Sequence, residues 1–272
     1  MNSQDDLIVV AGPTASGKTN YAVNLAKKIN GLIINADSMQ VYRGMDIGTN
    51  KGEVKKLGDL GIKILSIAKL MTENEENEVE KDHSKKVHEI NAYEIENSGV
   101  VGYMFDIVEP DENFSVADFQ FLTNELINKI REDGKIPILV GGTGLYIDSI
   151  LKDYSLAKVE EDLDLRIDSS NLSAEQLYDR LYEINPQVAL ELNESDMFNK
   201  RRLIRRIELA KVGNSNEVRN KIIPHIMYYP KFERDVLYER INNRVEEMFN
   251  EGLIDEVESL IKMGYRDCKS MQ

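Results

Sequence analysis

The sequence predicts an α/β fold in which a parallel sheet is flanked by helices and interrupted by an inserted helical domain. Three observations carry this. Short apolar, β-branched runs alternate with stretches of helical spacing up to about residue 150. A glycine-rich loop joins the first such run to the first helix. From about Tyr154 onward the pattern is nearly all helical.

Leu7-Ile8-Val9-Val10-Ala11 is continuous and apolar, as in a strand buried on both faces. It leads directly into Gly12-Pro13-Thr14-Ala15-Ser16-Gly17-Lys18-Thr19. Tyr21, Ala22, Leu25 and Ala26 then recur at helical spacing, with a stop near Asn30-Gly31. Leu32 to Asn35 reads as the second strand, ending before Asp37. Met104 to Val108 reads as the third, and Ile136 to Val140, broken by Gly141-Gly142, as the fourth. Between the last two, residues 115–131 form a long amphipathic helix that Ser115 can cap and Gly134 ends. Strands that alternate with helices require right-handed crossovers, and hence a parallel sheet covered on both sides.

Residues 52–98 break the pattern. They mix 11 acidic with 7 basic side chains and show weak periodicity, so an inserted, partly helical surface element outside the sheet is expected there. In the helical part, Leu177, Leu181 and Ile184 form one apolar stripe. Arg240, Ile241, Arg244, Val245 and Met248 form another. The division expected is a core of residues 1–153 and 203–272 around a helical insert at 154–202.

Composition narrows the function. Of 272 residues, 42% are hydrophobic and 30% charged, ordinary values for a soluble globular chain. No apolar run approaches the ~20 residues of a bilayer crossing, and the acidic start MNSQDD lacks a secretory signal. A cytoplasmic protein is expected, with no membrane partner. Cys268 is the lone cysteine, so no internal disulfide framework exists, and His83, His88 and His225 make no metal spacing with it. The formal charge of −14 argues against a general nucleic-acid coat but leaves room for a local basic groove. Lys200, Arg201, Arg202, Arg205, Arg206 and Lys211, against Glu208 alone, make such a cluster. A solvated face with ion pairs is its plainer reading.

Residues 12–19 fit the phosphate-binding pattern of glycine, four residues, then Gly-Lys-Thr, with strand before and helix after. Glycines let backbone amides turn toward a phosphate, and the helix start adds partial positive charge. Lys18 is placed for phosphate oxygens and the Thr19 hydroxyl for Mg²⁺. The fold expected is therefore P-loop NTPase-like. Asp37 follows the second strand, on the edge where such sheets bind ligands. Metal ligation and proton abstraction both suit a carboxylate there, and so does a turn or cap. Gly141-Gly142-Thr143-Gly144 permits close backbone approach to a ligand, or simply a tight strand-to-helix turn.

Taken together, GPTASGKT at 12–19, DSMQVYRGMDIGT at 37–49, EPDENFSVADFQ at 109–120 and ILVGGTGLYI at 138–147 resemble the tRNA dimethylallyltransferase family. Further matches are Arg202-Leu203-Ile204-Arg205 leading to Glu208, the run from Arg234 through Arg240-Ile241 to Arg244-Val245, and Gly252 to Val257. The resemblance spans the chain except for roughly residues 52–100. It implies a transferase that moves a dimethylallyl group from dimethylallyl diphosphate to the exocyclic amine of the adenine 3′ of the anticodon. By the same resemblance the 12–19 loop holds the donor diphosphate, and Asp37 is the general base. Asp37, Ser38, Met39, Gln40 and Thr143 then meet the tRNA adenine region. Arg202 and Arg205 are placed for tRNA, Arg234, Arg240 and Arg244 are candidates for diphosphate or tRNA, and Lys18 and Thr19 act in catalysis, with Mg²⁺ as cofactor. A monomer is expected. The resemblance also implies a histidine shortly before Asp106 and a basic C-terminal segment after Gln272, neither of which this sequence shows. Prenylation of free AMP or ADP, and a small-molecule kinase on the same loop, are the competing readings.

Overall fold

The computed structural model describes residues 7–67, 85–154, 156, 162–169, 171–211 and 222–271, without the side chains at 59–60, 63–67 and 85–89. The chain divides into two compact units, one formed by the sequence up to Leu151 and from Ile222 onward, the other by residues 152–221.

In the first unit the elements run β1 (Leu7–Ala11), α1 (Lys18–Ile29), β2 (Gly31–Asn35), β3 (Val54–Ile67), β4 (Lys85–Ile95), β5 (Val100–Tyr103), α2 (Val116–Glu132), β6 (Ile136–Gly141) and α3 (Gly144–Leu151). The seven-stranded sheet has the order β3-β4-β5-β2-β6-β1-β7, where β7 is His225–Tyr228. Strands β5, β2, β6, β1 and β7 are mutually parallel.

Alternation along each strand feeds two cores. Leu7 and Val9 of β1, Leu32 and Ile34 of β2, and Leu139 of β6 pack with Phe119, Leu122 and Leu126 of α2 and Ile147 of α3. Val10, Ile33, Ile138 and Val140 point the other way, onto Ala22, Val23 and Ala26 of α1. The Phe119 and Tyr146 rings stack at 4.0 Å, locking α2 to α3. Helix α2 starts as its sequence predicts: the Ser115 hydroxyl accepts from the Asp118 N–H, and the Asp118 carboxylate accepts from the Ser115 N–H.

Three expectations are corrected. Residues 52–98 are not a surface element outside the sheet, although 68–84 lie outside the described residues. Strands β3 and β4 form an antiparallel hairpin, and β4 pairs antiparallel with β5. Ile90 and Ala92 enter one core, Tyr93 and Ile95 the other. The third strand is Val100–Tyr103 and not Met104–Val108, because Met104 (φ 69°) and Asp106 (φ 51°) are left-handed and cannot extend a ladder. The region after Tyr154 is nearly all helical as expected, but one short strand, β7, also adds to the sheet edge beside β1. Finally, the stripe on α9 (Arg234–Glu251) buries no residue.

The second unit comprises α4 (Leu163–Ser169), α5 (Ala174–Ile184), α6 (Pro186–Leu190), α7 (Glu194–Met197) and α8 (Lys200–Lys211). Leu177 and Leu181 of α5 are fully buried against Leu203 and Ile207 of α8, while Ile184 stays exposed. The expected boundary at residue 203 therefore falls inside α8, whose apolar face belongs to this unit. The chain returns to the first unit at Ile222 and ends through α9 and α10 (Leu253–Lys262).

Because β4 supplies both cores, excising residues 52–98 should prevent folding. Ile90→Ala should cost about 2–5 kcal/mol, as other large-to-small core changes do. Urea unfolding of the variant measures it, and a loss within about 0.5 kcal/mol would place Ile90 in a surface environment.

Candidate active site

The parallel order puts the ends of β1, β2 and β6 on one edge. There Gly12 N–H donates to the Gly141 carbonyl (3.3 Å), Ala36 N–H to the Val140 carbonyl (2.7 Å) and Thr143 N–H to the Ala36 carbonyl (3.3 Å). The three motifs separated in sequence thus become one loop cluster. Its closeness requires glycine at 141, where a Cβ would stand 2.2 Å from the Ala36 carbonyl oxygen.

The loop between β1 and α1 has the form of an anion cradle. Gly17 (φ 73°) and Ala15 (φ 62°) are left-handed, and such alternation turns successive amides inward. For Ala15 this backbone is strained. Ser16 is buried, and its hydroxyl has no partner. Lys18 folds back so that Nζ donates to the Pro13 carbonyl at 3.3 Å. Burial lowers the Lys18 pKa, with the Asp37 charge pulling the other way. A half-buried cation, an unpartnered buried hydroxyl and a left-handed glycine turn at the start of a helix together fit a phosphate group.

Lys18, Thr19 and Thr14 share one cavity with Asn35, Asp37, Gln40, Thr49, Asn50 and Lys51. Ile33, Ile95, Phe105 and Val140 form its apolar lining. Asp37 Oδ1 accepts from the Met39 N–H (3.0 Å), an Asx turn that fixes the carboxylate at the end of β2. Thr143 Oγ1 accepts from the Ser38 N–H (3.0 Å) and lies 3.2 Å from Ser38 Oγ, which joins the third motif to the second. Met39 is exposed. Gln40 Nε2 donates to the Thr49 and Asn50 carbonyls at 3.1 and 3.0 Å. Among the described residues no cluster of three His, Cys, Asp or Glu suits a metal ion. The Thr19 hydroxyl is the group in the loop that could hold a Mg²⁺, a hard ion that takes oxygen ligands and ordinarily draws most of them from substrate and water.

The cations farther along the chain are engaged. In α8, Arg202 pairs with Asp196, and Arg205 with Glu208 at 2.7 Å. Glu208 also accepts from Arg166 Nε at 2.7 Å. Burial pushes the Glu208 carboxyl up, but the bonds from Arg166 and Arg205 outweigh it and hold the pKa low. In α9, Arg240 lies 4.5 Å over the Phe232 ring, Arg234 lies 5.9 Å from the Tyr238 ring, and Arg244 pairs with Glu247 and Glu251. These α9 residues are not in the cavity lining.

Sequence reasoning missed two residues. The Lys51 side chain is wholly buried, and its Nζ reaches Asp46 and Asp106 at 2.5 Å and the Tyr42 carbonyl at 3.0 Å. Nothing in sequence marks a lysine just past residue 49 for burial. Glu256 binds three backbone amides of the 46–48 turn, and its only signal was the string Gly252 to Val257.

A family model described as IPP transferase matches residues 90–272, and one described as isopentenyl transferase matches residues 5–100. The tRNA dimethylallyltransferase of Halalkalibacterium halodurans is 37% identical over 281 residues, covering 99% of this chain and 76% of that protein. The crystal structure of the full-length tRNA isopentenylpyrophosphate transferase of Bacillus halodurans is 36% identical, with a TM-score of 0.58 over 98% of this chain and 74% of that one. A eukaryotic dimethylallyltransferase, 23% identical with a TM-score of 0.66, shares the fold over 97% of this chain and 57% of its own.

Lys18→Met should remove a desolvated charge that awaits an anion. The ligand-free variant should melt higher than the parent, and inorganic diphosphate should no longer raise its melting temperature. The sign in pH follows from the lowered pKa. Between the folded value and the ordinary value of 10.5, the unfolded chain holds more protons, so the parent gains stability from Lys18 as pH rises. The gap between the two proteins should therefore narrow toward pH 10.5, and a gap that widens would contradict the burial argument.

Proposed function

The chain belongs to the IPP transferase family, and on that footing we propose that it transfers a dimethylallyl group from dimethylallyl diphosphate to the exocyclic amine of the adenine 3′-adjacent to the anticodon of tRNA. The observation that carries this reading is the single cavity shared by Lys18, Thr19 and Asp37. A cradle for diphosphate then faces a carboxylate able to take a proton from the amine. The apolar lining at Ile33, Ile95, Phe105 and Val140 suits a five-carbon chain.

In the reaction the allylic carbon–oxygen bond breaks, and its electron pair leaves with diphosphate. Lys18, with amides at Ala15, Gly17 and the start of α1, meets the charge that develops there. The amine lone pair forms the new nitrogen–carbon bond, and the amine proton passes to Asp37. Because that lone pair is delocalised into the ring, a hydrogen bond to Asp37 both orients the amine and drains its proton. Thr143, through Ser38, fixes the turn that carries Asp37. Mg²⁺, when bound, supplies Lewis-acid neutralisation of the diphosphate, with Thr19 as its protein ligand. The target base must leave its stack, which costs least in an unpaired loop.

Among the described residues no helix is long and apolar enough to cross a membrane. A cytoplasmic monomer is the proposed state. tRNA binding falls to cations on α8. Arg202 and Arg205 are held by Asp196 and Glu208, so they shape the helix surface, and Arg201 and Arg206 are the better placed to meet phosphates.

Labelled dimethylallyl diphosphate and Mg²⁺, offered with unmodified tRNA, AMP or ADP in parallel, test the reaction. Label should enter tRNA alone, and label in the free nucleotides would overturn the acceptor assignment. Asp37→Asn should lower turnover by ~10²–10⁴-fold with donor and tRNA binding little changed; lost donor binding would make Asp37 a metal-site residue instead. Reversing Arg201 and Arg206 to Glu should weaken tRNA binding and flatten its salt slope by about 0.7–0.9 for each phosphate no longer neutralised. An unchanged slope would remove α8 from the interface.

A further inference from the structure

Three consecutive backbone N–H groups converge on one side chain outside the transfer machinery. Glu256 Oε2 accepts from the Asp46 N–H at 2.8 Å and the Ile47 N–H at 2.7 Å, and Oε1 accepts from the Gly48 N–H at 3.0 Å. A run of converging amides makes a concavity for an anion. Here the anion is internal and comes from the first turn of α10, more than 200 residues downstream. The fit is close: a Cβ on Gly48 would stand 3.2 Å from Leu253 Cδ1 and 3.4 Å from Glu256 Oε1. Leu260, one turn farther along α10, is buried.

The turn held in this way leads straight to the cavity. Its next residues, Thr49 and Asn50, present the carbonyls that fix the Gln40 amide, and Asp46 itself pairs with Lys51. Gln40 and Lys51 line the cavity with Asp37 and Lys18. We infer that Glu256 is a positioning residue, which fixes the 46–51 wall of the cavity through the amides of Asp46, Ile47 and Gly48. Asp46 and Gly48 are exposed, so water can replace the carboxylate and the protein can fold without it. What is lost is the placement of Gln40 and Lys51, not the phosphate cradle, which hangs on β1 and α1.

The role rests on the transfer reaction proposed above, and the test separates the two. Hydrogen exchange at the 46–48 amides, in the ligand-free full chain, is compared for the parent, Glu256→Gln and Glu256→Ala. Both variants should lose protection there while the amides of β1 and β6 keep theirs. In the transfer assay, Glu256→Gln should lower kcat with tRNA by up to ~10²-fold, the scale of a misplacement of about 1 Å. KM for dimethylallyl diphosphate should stay unchanged. Equal exchange in parent and variants, or lost protection with kcat intact, would overturn the assignment. A matched loss of kcat, donor affinity and protection throughout the sheet would make Glu256 a stabilising residue only. A parent that transfers nothing to tRNA would overturn the reaction, while the exchange result would still decide whether the carboxylate holds the turn.

Discussion

The backbone contact between the ends of β2 and β6 is the constraint on which the rest of the site depends. Gly141 approaches Ala36 so closely that no side chain fits between them. The same approach lets Thr143 N–H reach the Ala36 carbonyl and Gly12 N–H reach the Gly141 carbonyl. Parallel pairing alone would leave three loops on one edge. The close approach joins them, so that Thr143 hydrogen-bonds Ser38, and Asp37 lines one cavity with Thr14, Lys18 and Thr19.

Around that contact the protein holds several local costs. Ala15, Met104 and Asp106 occupy left-handed backbone that L-residues avoid, at of order 1–3 kcal/mol each. Lys18 is desolvated and Ser16 Oγ has no partner. Ala15, Ser16 and Lys18 lie in the loop at the sheet edge, Asp106 just past the end of β5, and Met104 is buried in the core beside them. Strain and unmet polarity at a site are what preorganisation for a charged ligand requires. The two well-packed layers of α1 on one side and α2 with α3 on the other are what hold the edge in that state.

Much of this was legible in the sequence, for identifiable reasons. β1, β2 and β6 are buried on both faces, so their apolar runs are unbroken, and the Ser115-Asp118 cap is written in adjacent residues. The β3–β4 hairpin was not legible, because strands of mixed charge show no clear alternation; among the described side chains Ile90, Ala92, Tyr93 and Ile95 are buried in the cores, and Val54, Leu57 and Ile62 pack against them half-buried. β7 is four residues, half-exposed, set between helical patterns. Motif strings located Lys18, Asp37 and Thr143. Lys51 and Glu256 escaped because their importance lies in contacts made across 55 and more than 200 residues. No local pattern encodes such pairings.

The basic run in α8 shows how charge counting and geometry differ. By composition its six cations form one patch. In the structure Arg205 turns to the buried Glu208, Arg202 to Asp196, and Lys211 to Asp162 at 3.2 Å. Glu208 is the organising centre, since Arg166 of α4 reaches the same carboxylate and ties α4 to α8. Removing Glu208 would take from two partly exposed guanidinium groups the carboxylate they share, whereas Arg201 is exposed. Arg202, Arg205 and Lys211 are therefore bound into the second unit, on a chain whose formal charge is −14. A surface of this kind attracts a polyanion locally while the rest of the protein repels it, which favours approach in one orientation over indiscriminate adhesion.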